Sequence, residues 1–304
     1  MSLSHYNPQA VILFIHIFKT AGTTLNWIID QNYQPEHQIK INYPRRKLRY
    51  HAFNSAHKKP VGALSETEFM HVLDEPKKKL HIISGHIGVG FHAFLPEDTP
   101  FQYMLLLRDP IDRLISFYYQ VQRSPNVPLH SPTMTLEDFV LHPSHKNFQT
   151  RVLVRGRKFD TWLHGMHEAP ILTEADLEDA KNHLQNNYFL LAGISERFDE
   201  FLLLLKQTLG WPNIFYLNQN VTRERASTEQ LSPAVRRQLV EEHALDLQLY
   251  DYVSEQFDAL VQQQGELFQH QLRQFRRLNT LYNRVYHARQ RLNQIKHRAL
   301  PSAS

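Results

Sequence analysis

The chain has 304 residues, 42% of them hydrophobic and 11% aromatic, and no cysteine. This composition excludes disorder over most of the length, and the missing cysteine excludes disulfides, iron–sulfur clusters and thiolate zinc sites. Charge is divided: residues 267–304 carry eight basic side chains and no acid, while the first 266 residues hold 26 basic and 30 acidic ones, so a mildly acidic body precedes a strongly basic tail.

Taken in chain order, residues 10–17 (Ala-Val-Ile-Leu-Phe-Ile-His-Ile) form a nearly continuous apolar run. A strand buried on both faces reads this way. Phe18-Lys19-Thr20-Ala21-Gly22-Thr23-Thr24 follows, then a helical pattern from Leu25 to about Tyr33. Strand, small-residue loop and helix make up a phosphate-binding turn, in which backbone N–H groups and the helix N-terminus meet an anion. Lys19 adds a mobile cation, and Thr20, Thr23 and Thr24 add hydroxyls. The Walker A order G-x-x-x-x-G-K-[ST] is absent, because the lysine precedes the glycine.

Residues 44–59 read as a basic loop containing Arg45, Arg46, Lys47 and Arg49. Ser65 and Glu68 suggest a capping box for a helix over 66–73. His81–Ser84 reads as a second core strand running into Gly85-His86. Phe101–Leu107 is a third, stopping at Arg108-Asp109-Pro110. Asp109 suits an N-cap and Pro110 the first helical position, with the helix running to Gln122. Further helices are expected over 135–142, 174–186 and 197–209. Tyr188–Ile194 is a fourth strand and Ile214–Leu217 a fifth. Ser232-Pro233 opens a helix of roughly 30 residues. In the tail, Phe268, Leu272, Phe275, Leu278, Tyr282, Val285, Leu292 and Ile295 recur at helical spacing. Strands alternating with helices predict a parallel sheet covered on both faces.

Arg108 falls at the C-terminal edge of that sheet, where open α/β folds bind ligands, and its planar fork suits bidentate phosphate contact. Ser116 lies two turns into the following helix and can join Arg108 if a ligand lies along that face. Arg113 has the spacing for a surface pair with Asp109. Together, His16-Ile17-Phe18-Lys19-Thr20-Ala21-Gly22-Thr23-Thr24-Leu25 resembles the 5′-phosphosulfate loop of carbohydrate sulfotransferases, and Arg108-Asp109-Pro110-x-x-Arg113-x-x-Ser116-x-Tyr118 resembles their 3′-phosphate motif. The match is best with the family of heparan sulfate and uronyl 2-O-sulfotransferases and their bacterial relatives. Asn147–Arg151, Gly193–Asp199 and Leu217–Asn220 also look like it, so that the resemblance covers roughly residues 10–260. One departure is Phe18, where the family usually has proline.

The resemblance implies a P-loop-type three-layer α/β/α domain with a central, mostly parallel sheet, plus long C-terminal helices. Residues 1–264 would form the sulfotransferase domain and 265–304 a basic amphipathic helix and tail. It implies 3′-phosphoadenosine-5′-phosphosulfate (PAPS) as co-substrate and no metal, with Lys19, Thr20, Ala21, Gly22, Thr23, Thr24, Arg108 and Ser116 binding it. Sulfuryl transfer is in-line between two oxygens, so positioning and charge stabilisation dominate. Lys19 is the candidate to meet charge on the leaving phosphate.

The acceptor hydroxyl needs a base. His86 is the choice: it ends a core strand on the shared edge, it matches the family's Gly-His pair, and an imidazole titrating near ~6.5 suits neutral pH. His92 is the runner-up, and His16 reads as a core histidine. Arg45, Arg46 and Arg49 are candidates for a carbohydrate acceptor, anionic if uronic. The tail leaves open packing on the body, a homo-oligomer or an anionic membrane surface; nucleic acid is not a partner in this reading. No run of 18 apolar residues or leader pattern is present, and with no cysteine the expected setting is cytoplasmic and bacterial. Two other classes compete: a P-loop kinase, disfavoured by the missing G-K-[ST], and a non-catalytic module binding acidic glycan or membrane.

Overall fold

A computed structural model describes residues 6–42, 50–54, 59–64, 79–124, 131–154, 171–217 and 231–299. Its centre is β1 (Val11–Ile15), in which all five side chains are buried. β5 (Ile82–Gly85) pairs with it in parallel on one side and β6 (Phe101–Leu107) on the other, with Ile15 opposite both Gly85 and Leu105. Further out lie β2 (Gln38–Asn42), parallel to β5, and β7 (Phe189–Ile194), parallel to β6. β3 (Tyr50–Asn54) and β4 (Lys59–Leu64) extend the sheet antiparallel beyond β2, giving the order β4-β3-β2-β5-β1-β6-β7. Five parallel strands with an antiparallel edge, and helices covering the faces, make up the three-layer α/β/α architecture expected.

Successive strands depart to opposite sides of β1, so the carboxyl ends of β1, β5 and β6 flank the topological switch where such sheets bind ligands. α1 (Gly22–Asn32) follows β1 and α2 (Pro110–Gln122) follows β6. As expected, Asp109 caps α2, its carboxylate accepting from Asp112 N at 2.8 Å, and Pro110 opens the helix. α3 (Leu136–Val140) begins at a Thr135–Asp138 capping box. α4 (Phe148–Leu153), α5 (Glu174–Gln185) and α6 (Phe198–Leu209) follow. A satellite core of Leu114, Ile115, Val121, Phe139, Val140, Leu231, Val235 and Leu239 lies under α2, α3 and α7 (Pro233–Glu242).

Four sequence expectations change. The segment 44–59, read as a basic loop, contains β3 and the first residue of β4 among its described residues. β4 is the sheet edge, where Lys59 and Pro60 are tolerated because one side of the strand needs no ladder bonds. The helix opening at Pro233 is two helices, α7 and α8 (Ala244–Gln263), broken at His243. Tertiary bonding sets that break: Asp246 N donates to Asn147 Oδ1 at 3.1 Å, and the Asp246 carboxylate accepts from Gln149 N and Thr150 N. The Ile214–Leu217 strand does not form. Tyr216 N donates instead to Asn279 Oδ1, and Asn283 Nδ2 donates to Tyr216 O, both at 2.9 Å. Finally, Arg113 makes no surface pair: it is 2% exposed, with Asp246 the carboxylate that stabilises its charge. The helix expected over 66–73 lies outside the described residues.

Gly265, at φ 73°, turns the chain from α8 into α9 (Gly265–Ala299). Phe268, Leu272 and Phe275 of α9 join the main core. Arg276 reaches Asp199 and Glu200 on α6, each at 3.0 Å. The basic tail is thus anchored to the body through one face of its first half, while Leu267, Leu278, Leu281, Val285 and Leu292 remain exposed.

Candidate active site

Between β1 and α1 the chain takes left-handed backbone at two non-glycine residues, Lys19 (φ 69°) and Ala21 (φ 65°). Such geometry is uncommon outside glycine and clusters at ligand sites. Thr20, fully buried between them, donates its hydroxyl to Ile17 O at 3.0 Å and braces the loop. α1 then starts with no side-chain cap and no acid in its first turn, an arrangement that leaves N-terminal amides to an anion. Gly22 must be glycine, because a Cβ there would collide with Cδ2 of the His16 ring.

A cavity of about 430 Å³ opens at this edge. His16, Lys19, His86, Arg108 and Ser116 line it, with Phe18, Ala21, Gly22, Thr23 and Thr24. The loop after β1, the end of β5 and the β6–α2 junction therefore converge, as the motifs led one to expect. Among the residues proposed for the nucleotide, only Thr20 is absent from the lining, since its hydroxyl is used inward. Arg45, Arg46 and Arg49 lie outside the described residues.

Arg108 is held from two directions. Its backbone is clamped by the Gln149 side chain, and Nη1 donates to Lys19 O at 3.2 Å. Asp112 stands 3.7 Å from Nη2, the i,i+4 ion pair that the sequence suggested for Asp109 and Arg113.

His86 follows Gly85, where a Cβ would strike Ile41 O of β2. Its Nδ1 lies 2.7 Å from His16 O. A carbonyl can only accept, so the proton sits on Nδ1 and Nε2 carries a lone pair. Phe18 stacks on the imidazole with centroids 3.9 Å apart. That contact gives the departure from proline a physical role: the aromatic ring helps fix the histidine plane. Burial lowers the His86 pKa to about 4, partly opposed by the bond to His16 O, so the ring is neutral at pH 7 and a weaker base than the imidazole near ~6.5 that the sequence led one to expect. His92 is engaged elsewhere, with Nδ1 3.0 Å from the Tyr103 hydroxyl and its ring stacked on Phe101. It does not line the cavity.

Sequence reasoning missed several lining residues. Asp112, Gln120 and Arg123 share the Ser116 face of α2, and their spacing of four, four and three was readable as one helical stripe. Ser195 and Glu196, after β7, also line the cavity. Glu196 Oε1 accepts from Asp109 N at 3.2 Å, a link that only the fold creates. His16, read as a core residue, forms part of the wall.

Several known sulfotransferases are similar to this chain. A family profile described as Galactose-3-O-sulfotransferase matches residues 2–300. Human heparan-sulfate 6-O-sulfotransferase 3 is 25% identical over 290 residues, covering 81% of this chain and 57% of that protein. Human heparan-sulfate 6-O-sulfotransferase 1 is 26% identical over 287 residues, covering 84% and 68%. The chain spans 57% of the length of the first relative. A crystal structure of a sulfotransferase from Alicyclobacillus acidocaldarius superposes with TM-score 0.44 at 14% identity, over 81% of this chain and 95% of that one. The profile match, running over nearly the whole sequence and both phosphate-type motifs, means that this chain belongs to the galactose-3-O-sulfotransferase family.

Proposed function

We propose that this protein transfers a sulfuryl group from PAPS to a hydroxyl of a carbohydrate acceptor. The observation that carries this reading is the convergence of Lys19, His86, Arg108 and Ser116 on one cavity at the switch point of the sheet, in a member of a carbohydrate sulfotransferase family. PAPS would supply an activated sulfuryl group on a phosphate leaving group.

The residues present suit such a molecule. Lys19 and the uncapped start of α1 form one anion-binding wall, and Arg108 with Ser116 forms another. Lys19 Nζ would offset charge on a departing phosphate. His86 Nε2, with the ring proton held on Nδ1, would accept the proton of an acceptor hydroxyl. No metal enters this scheme. Arg45, Arg46 and Arg49 are proposed to hold an anionic acceptor, a role supported by their clustering with Lys47 in an acid-free stretch early in the sequence.

Radiolabelled sulfate transfer from PAPS onto a panel of galactose- and uronate-containing polysaccharides and glycolipids tests the proposal. Transfer to at least one carbohydrate without added divalent metal is expected, and Lys19→Ala should remove it. Absence of transfer to any acceptor, with no binding of 3′,5′-ADP by calorimetry, would overturn it.

A further inference from the structure

His16 ends β1, and its backbone N donates to Gly85 O at 2.8 Å. Its ring packs between Phe14, with centroids 5.7 Å apart, and His86, at 4.8 Å. Nδ1 stands 3.2 Å from Asn26 Nδ2 on α1. With the Asn26 amide in this orientation its NH₂ donates, Nδ1 accepts and the ring proton belongs on Nε2, while Asn26 Oδ1 is left buried without a hydrogen-bond partner. The Cδ2–Nε2 edge faces Gly22, at the start of α1, and the ring lines the cavity. Burial, then His86 and Lys19, lower its pKa to about 3.

Two neutral imidazoles therefore share the cavity wall in opposite tautomers. His86 carries its proton on Nδ1 and offers Nε2 as an acceptor. His16 carries its proton on Nε2 and offers a donor. We propose that His16 is a second catalytic imidazole, whose Nε2–H donates a hydrogen bond to oxygen of the group being transferred while His86 accepts the hydroxyl proton. The inference rests on the sulfotransferase reading above. The acceptor O–H proton passes to His86, the new S–O bond forms as the S–O bond to phosphate breaks, and the His16 proton stays on nitrogen. A cation here would stand beside Lys19, whereas a neutral donor adds stabilisation without that repulsion. Donors that tighten only in the transition state raise turnover more than ground-state binding.

The test has two parts. In the free protein, ¹⁵N–¹H correlation of the histidine side chains at pH 7, assigned with His16→Gln and His86→Gln, should show His16 as the Nε2–H tautomer and His86 as the Nδ1–H tautomer. His16 found as Nδ1–H, or as a cation, would overturn the proposal. In the second part, His16→Leu should lower kcat by about 10²-fold with KM for PAPS and calorimetric affinity for 3′,5′-ADP within about threefold. His16→Gln, which keeps an N–H at a similar reach, should recover at least about tenfold of that loss. Normal turnover in His16→Leu removes the catalytic role. Loss of 3′,5′-ADP affinity in step with turnover makes the ring a wedge under the loop and also overturns it. Wild-type protein that neither binds 3′,5′-ADP nor transfers sulfate defeats instead the reading on which the inference stands.

Discussion

The Gln149 side-chain amide closes a two-bond clamp on the backbone of Arg108: Arg108 N donates to Oε1 at 3.0 Å, and Nε2 donates to Arg108 O at 2.8 Å. Gln149 N in turn donates to the buried carboxylate of Asp246 at 3.0 Å. A chain of bonds thus runs from α8 through the start of α4 to the arginine of the cavity. Burial raises the Asp246 pKa, while Arg113 and the amides of residues 149 and 150 act against this. A buried carboxylate so surrounded by donors holds its neighbours firmly, because leaving any of them unpaired is costly.

Gln149→Ala should therefore act on both stability and ligand binding. Two backbone groups of Arg108 lose their partner, so a loss of about 1–3 kcal/mol in unfolding free energy is expected. Affinity for 3′,5′-ADP should fall as Arg108 loses its fixed position. Denaturant unfolding and calorimetry read the two effects. A variant with wild-type stability and binding would show that the clamp has no energetic role.

His86→Ala removes the base and leaves both anion-binding walls in place. Turnover should fall by about 10²–10⁴-fold, with 3′,5′-ADP binding retained. Turnover within a few-fold of wild type would reassign the proton acceptor.

Phe18→Leu separates orientation of the base from its presence. Stacking of this kind contributes about 0.5–1.5 kcal/mol, so kcat should drop by about threefold to tenfold while affinity for 3′,5′-ADP stays near wild type. The His86 side-chain resonance should broaden or shift in the same variant. An unchanged kcat and spectrum would leave the departure from proline without a role in the site.

Stability should fall on the acid side. His16, His145 and His243 have pKa values lowered to about 3, and His86 to about 4, each mainly by burial. A histidine kept neutral in the folded state and free to charge at about 6.5 once unfolded makes unfolding take up protons. Its stabilising contribution is complete above about pH 6.5 and is lost as pH falls through the folded value. Near pH 5 these four groups should take up close to four protons on unfolding. Denaturation midpoints measured from pH 7.5 to 4.5 should decline steeply, and His243→Phe should flatten the slope. A flat profile would mean that these rings are already charged in the native protein.

Asn279→Ala tests the anchoring of the tail. It removes the acceptor for Tyr216 N, and a loss of about 1–3 kcal/mol is expected. Arg291→Ala, on the exposed part of α9, should change stability by less than about 0.5 kcal/mol.

Much of the site was legible because its signals are local. Five apolar residues before His16, a small-residue loop with Lys19, Asp109-Pro110 at a strand end and glycine before His86 each state a backbone requirement within a few positions. The same motifs identify the family without naming the hydroxyl modified: the matches carry 3-O and 6-O names, whereas the motif resemblance pointed to 2-O enzymes.

Other features depended on partners far along the chain. Residues 214–217 have strand-like side chains, yet α9 supplies the bonding groups for Tyr216, so no ladder forms. The helical pattern after Pro233 continues through His243, yet α8 must turn to bring Asp246 onto α4. Arg113 has surface spacing on its own helix, yet packing places it in the interior near Asp246. His16 has the neighbours of a core residue, yet the loop that follows it leaves its ring on the cavity wall. Sequence by itself determined the core strands β1, β5, β6 and β7, the Asp109 cap and the phosphate-type loop, because short-range sterics and hydrogen bonding decide them. Tertiary structure alone decided which polar groups meet, because a buried donor must be paired wherever the fold brings an acceptor to it.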